Sequence, residues 1–247
     1  MNRQPISYMQ TDPRWAGADY SAVGERTDIR ESGCGPTCAA MLIETISGQE
    51  YTPADACAWA LRHGYKAPHQ GTYYSYFTPQ FKAFGLECRQ LNGGSVYGQT
   101  GAAVNGEALS LLKEGYYLIA CMGRGLWTSS GHFVVVWWED GQVYINDPAS
   151  TAPARLRGDP AVFRAQVKYY WAVDARVHNR LEEDEEMKLY RYASEVPEWA
   201  RASVEKAVAN GYIGMDATGA MGVWETNLQT LVWMDRAGVL DKPAGKI

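Results

Sequence analysis

A chain of 247 residues, 46% hydrophobic and 21% charged, can build one large domain or a medium domain plus a small one. Its net charge of -5 excludes general nucleic-acid binding, which needs a basic face, and gives no pull toward anionic lipid. No apolar run is long enough to span a membrane, and five cysteines, an odd number, fit reduced thiols better than a disulfide framework.

The N-terminus lacks an apolar core with a small-residue cleavage site. The expectation is synthesis in the cytoplasm without a signal peptide. Gln10 to Trp15 and the polar, Gly-containing stretch to Ser32 read as loop. The first strong helix starts at Cys34. Pro36 suits a first turn, where its missing N–H costs nothing, and Gly48 can close the helix in a left-handed conformation. Further helices are expected over Pro53 to Arg62, within Tyr74 to Phe84, and from Gly106 to Lys113.

Strand signals follow over Leu86 to Leu91, Tyr117 to Met122, His132 to Trp138, Gln142 to Ile145 and Lys168 to Val173. Glu139-Asp140-Gly141 predicts a tight hairpin. Helices first and antiparallel strands later make an α+β pattern, with residues 1–176 as one domain. The acidic run Leu181 to Glu186 repels itself and marks a linker, residues 177–188. Residues 189–247 read as a small helical module. One helix runs from Pro197 to Ala209, with Trp199, Ala200, Val204 and Val208 on one face. A second is marked by Trp224, Leu228, Leu231 and Val232 and ends near Gly238. A module this small has a limited core and is expected to dock on the first domain or on a second copy.

The chemistry centres on Cys34. A thiol at a helix N-terminus meets unpaired N–H groups and positive dipole, and a nearby imidazolium lowers its pKa further. The glycines on either side, Gly33 and Gly35, leave room for a substrate. The competing reading is a buried structural cysteine, which suits Cys38, Cys57, Cys88 and Cys121 in their apolar surroundings. Of four histidines, only His132 opens an apolar strand; His63 and His69 lie in a polar stretch and His178 at the domain edge. Asp147 follows the next strand and can orient an imidazole, as can Asn146; a turn-forming Asp before Pro148 is the plainer alternative. Nothing supplies a zinc ligand set, so neither metal nor cofactor is expected.

Ser32-Gly33-Cys34-Gly35-Pro36-Thr37, Trp127 to Phe133 and Tyr144 to Pro148 together resemble the papain-like cysteine peptidases related to the bacteriocin-processing, double-glycine peptidases. The resemblance covers residues 1 to about 176. It implies Cys34 as nucleophile, His132 as base and Asp147 as orienter. It also implies a glutamine that helps stabilise the oxyanion, matched by Gln10 in Met9-Gln10-Thr11-Asp12-Pro13. Closer relatives keep that glutamine a few residues before the cysteine. Here the two are 24 positions apart, so a loop must separate them. Trp127, Gly131, Gly33 and Gly35 are the expected substrate contacts.

The C-terminal module is similar to small helical, surface-layer-like modules appended to wall-lytic enzymes. Together the two parts predict a cysteine hydrolase of the endolysin kind, cleaving peptidoglycan peptides at the bacterial cell wall after release. A leader-peptide processing peptidase and a non-catalytic binding or assembly protein are the alternatives. Purine-rich codons before Met187 would also permit an internal start there, making the module separately for co-assembly into a homo-oligomer. No nucleic-acid partner and no membrane insertion are expected.

Overall fold

The computed structural model describes residues 4–91, 93–157, 159–176, 189–216 and 219–243. The chain divides into two compact units, Met1–Arg180 and Leu181–Ile247. The expected linker over 177–188, together with His178 and Met187, lies outside the described residues.

In the first unit the stretch expected as loop ends in one helical turn, α1 (Ile29–Ser32). The Asp28 side chain starts it by accepting from the Glu31 N–H, a local bond that only the folded turn offers. Then come α2 (Cys34–Ser47), α3 (Pro53–Arg62) and α4 (Phe77–Lys82). Gly48 closes α2 at φ 67°, and a capping box between Thr52 and Asp55 opens α3. Next are β1 (Cys88–Gln90), α5 (Ala103–Lys113), β2 (Tyr116–Met122), β3 (His132–Glu139) and β4 (Gln142–Asn146). The unit ends with α6 (Pro153–Leu156), α7 (Pro160–Gln166) and β5 (Val167–Asp174).

Five strands form one antiparallel sheet in the order β1-β5-β2-β3-β4. Asp140 (φ 47°) and Gly141 (φ 80°) make the β3–β4 turn, whose two positive φ angles match the right-handed twist of the strands. Alternate residues of the strands serve two cores. Ile119, Cys121, Phe133, Val135 and Trp171 face α2, α3 and α4, whereas Leu118, Ala120, Val134, Val136 and Tyr170 pack with Ala108, Leu112 and Phe163 of α5 and α7. Both faces of the sheet are therefore covered, which explains strands that read as continuous apolar runs. N-terminal helices packed on an antiparallel sheet describe one face; the second helical layer is an addition to that expectation.

α2 is the central helix, with twelve of its fourteen residues buried. Its N-terminus reaches the start of β3, because α2 packs against that strand. The Cys34 end of the helix and the His132 end of the strand thereby meet.

The second unit has its own core of Tyr190, Val196, Ala200, Val204, Leu228 and Leu240. Helices α8 (Glu198–Ala209) and α9 (Glu225–Arg236) dominate it, as expected for a helical module. Two details differ. Trp224 lies in a two-residue strand, β7 (Val223–Trp224), paired with β6 (Leu189–Tyr190), so it precedes α9. Trp199 is 57% exposed, while Ala200, Ser203, Val204 and Ala207 form the buried face of α8. Trp199 and Ala200 are adjacent and so about 100° apart around a helix; only one of them can face the core.

Candidate active site

Cys34 is the first residue of α2, where backbone N–H groups lack intrahelical partners and the dipole is positive. Burial pushes its thiol pKa up. The His132 hydrogen bond and charge, with the N–H groups of Phe133 and Gly35, outweigh that and hold it below the ordinary thiol value. Cys34 lines a cleft of about 670 Å³ bounded by Gly24 to Thr27, Glu31, Ser32, His69 to Gly71, Ser130 and Gly131.

His132 begins β3 and is buried. Its Nε2 lies 2.7 Å from Asp147 Oδ1, which leaves Nδ1 for the sulfur. Burial opposes the charged imidazole, but the Asp147 hydrogen bond and the Cys34 contact raise its pKa to about 9. A lowered thiol beside a raised imidazole favours a thiolate–imidazolium pair across neutral pH.

Asp147 leaves the end of β4 fully buried. Its Oδ1 also accepts from the Ala149 N–H at 2.8 Å. Asn146, the other candidate orienter, points elsewhere: Oδ1 accepts from Trp137 Nε1, and Nδ2 donates to the carbonyls of Pro5 and Ile6. Successive strand residues face opposite sides, so one of the pair had to turn away.

Sequence reasoning missed Arg155, on α6. Its Nη2 stands 2.6 Å from Asp147 Oδ2 and also donates to the Trp127 carbonyl. The contact with Asp147 is a charge contact more than an aligned hydrogen bond, since Asp147 Oδ2 and Arg155 Nε have no hydrogen-bonding partner. Asp147 thus sits between two cationic groups, His132 and Arg155. The one available signal was a basic residue eight positions past Asp147.

Gln10 is brought in by tertiary contacts. Its N–H donates to the Pro148 carbonyl at 2.8 Å, and its Nε2 donates to the Arg30 carbonyl at 2.6 Å. It therefore touches the residue after Asp147 and the turn preceding Cys34. One Nε2 hydrogen is uncommitted, and its buried Oε1 has no partner.

The expected substrate contacts divide. Gly131 lines the cleft. Trp127 is only 3% exposed, donates Nε1 to the Arg155 carbonyl at 3.0 Å and packs on Phe163; its ring supports α6 and does not line the groove. Gly33 and Gly35 are buried as well. A Cβ on Gly33 would stand 2.6 Å from the Ile29 carbonyl oxygen, and one on Gly35 would stand 3.2 Å from Thr72 Oγ1 and 3.3 Å from Phe133. Protein atoms occupy the space that was expected to admit substrate. Cys38 and Cys57 are pushed well up in pKa by burial, and Cys88 and Cys121 are raised for the same reason, as their apolar settings required. Among the described residues no acid, His and Cys cluster could hold a metal ion, and no helix is long and apolar enough to cross a membrane.

Among solved structures the chain is similar to the peptidase domain of Streptococcus ComA, described as a bi-functional ABC transporter involved in a quorum-sensing pathway. Identity is 20% and the TM-score 0.40, covering 58% of this chain and 92% of that one. No curated protein matches. The model of the Peptidase_C39 like family matches residues 10–177, which is most of the first unit. The chain belongs to the Peptidase_C39 like family of cysteine peptidases, with a papain-like fold of helices on an antiparallel sheet.

Proposed function

We propose that this peptidase cleaves amide bonds with Cys34, His132 and Asp147, and that its substrate is a peptidoglycan stem or cross-bridge peptide. The observation that carries the mechanism is the buried relay: a thiol at the N-terminus of α2 against an imidazole held 2.7 Å from Asp147. Cys34 thiolate attacks the carbonyl carbon. The oxyanion that forms meets the Cys34 N–H and the uncommitted Gln10 amide hydrogen. His132 gives its proton to the departing amine and the acyl-enzyme remains. His132 then takes a proton from water, whose oxygen attacks the thioester and releases the acid and the thiol.

Support for a wall substrate comes from the second unit. It carries its own core yet leaves Trp199 and Trp233 57% and 62% exposed, rings suited to stacking on a polymer of sugars and peptides. Purified cell walls incubated with wild type and with Cys34→Ala test both parts. New amino termini in the wall peptides from wild type alone are expected. Equal release by both proteins rejects the nucleophile. Walls left intact by an enzyme that trims a leader-bearing precursor move the substrate to the leader-processing alternative.

A further inference from the structure

The residues between Gln10 and Cys34 do more than span a gap. Residues 19–28 form a loop closed by a β-bridge between Asp19 and Asp28, and residues 66–72 form another closed by Lys66 and Thr72. Gly24 to Thr27 of the first and His69 to Gly71 of the second lie along the cleft that contains Cys34.

These loops are joined at three points. The Lys66 side chain is 2% exposed, and its Nζ donates to Glu25 Oε1 and to the carbonyls of Ala67 and Gln70. Glu25, at 6%, accepts from the Ala22 N–H with Oε1 and from the His69 N–H with Oε2. Tyr20, fully buried, pairs its hydroxyl with Thr72 Oγ1 at 2.7 Å. His69 is held at φ 55°, a conformation a non-glycine residue keeps only when its surroundings impose it, and Glu25 supplies that restraint. Nearly all polar atoms of this buried pair are used, so its geometry is narrowly defined. Neither Glu25 nor Lys66 contacts His132 or Asp147 in any hydrogen bond or ion pair, so the relay does not run through them.

We propose that Glu25 and Lys66 are positioning residues that weld the two loops into one wall of the substrate groove. They determine how a peptide is held beside Cys34, not how its thiolate forms. The inference rests on Cys34 being the nucleophile, and the test separates the two. Two reagents report on the same sulfur. Iodoacetamide needs only the thiolate, whereas an alanyl-glycyl chloromethyl ketone must also lie along the groove; each alkylates sulfur with loss of halide.

The variant of choice is the double Glu25→Gln/Lys66→Met, because either single change strands a buried charge. Its iodoacetamide rate is expected to stay within about twofold of wild type, while its chloromethyl ketone rate falls about tenfold or more, since loss of positioning by an ångström carries penalties of that order. Lys66→Arg, which keeps the charge, is expected to restore most of the second rate. Circular dichroism melting of both variants monitors the fold. If both rates fall together, or neither changes, the wall has no separate role and the proposal is overturned. If wild-type Cys34 labels with iodoacetamide no faster than free cysteine, the nucleophile assignment fails and takes this proposal with it.

Discussion

Under the proposed mechanism Cys34 serves as nucleophile because its neighbours reverse what burial would do to its thiol. The other four cysteines are buried too, and burial alone raises their thiol pKa. Iodoacetamide labelling should therefore find one fast sulfur, with a midpoint below that of a free thiol, and His132→Ala should move that midpoint upward. Peptide cleavage needs thiolate and imidazolium together. Activity should rise through the lowered Cys34 pKa and fall as pH passes about 9, where His132 deprotonates. The linkage to stability has the same sign: the raised imidazole stabilises the fold fully below its ordinary value near 6.5 and loses that contribution as pH climbs toward 9. Asp147→Asn keeps the size but removes the charge between His132 and Arg155, and should cost roughly 10²–10⁴ in kcat. Arg155→Met should destabilise by up to about 3–5 kcal/mol, the scale for stripping a buried charge of its partner, reduced by Arg155's partial exposure; thermal unfolding measures it.

Elements place these residues by close packing. Gly33 is required because α1 folds back against it, and Gly35 because Thr72 and Phe133 press on α2. Gly33→Ala should cost about 1–3 kcal/mol through overpacking, read as a lower denaturant midpoint at unchanged slope. Gly35→Ala has a few tenths of an ångström to recover, so its penalty should be smaller and its main effect a slower Cys34. The wall loops also carry a pH signature. Lys66 and the N–H groups of Ala22 and His69 depress the Glu25 carboxyl to about 2. Its contribution is complete above the ordinary carboxylate value and is lost only as pH falls toward 2, so the wall should hold throughout the pH range in which the thiolate exists.

At the scale of the molecule, two units have separate cores, and the proposed function assigns chemistry to the first and wall attachment to the second. Residues 1–180 alone should fold and label Cys34 at the full-length rate, while sedimentation with cell walls should require residues beyond 188. Trp199→Ala and Trp233→Ala should weaken sedimentation without slowing iodoacetamide. Unchanged sedimentation of the double substitution would remove the aromatic rings from wall attachment.

The sequence by itself determined the helix that opens on Cys34, the strand that opens on His132, the carboxylate after β4 and the α+β order, because each rests on short-range spacing: Pro36 and Gly48 bound a helix, and Asp140-Gly141 turns a hairpin. It also contained the family motifs. Only the tertiary structure decided which side chain of Asn146 and Asp147 faces the imidazole, since that depends on which face of β4 lies toward α2. Only it showed Trp127, Gly33 and Gly35 as packing residues, Arg155 as the partner of Asp147, and Gln10 beside both Pro148 and Arg30. The two Gln10 contacts alone join segments 20 and 138 positions apart, and no sequence pattern records which atom fills a space or balances a charge.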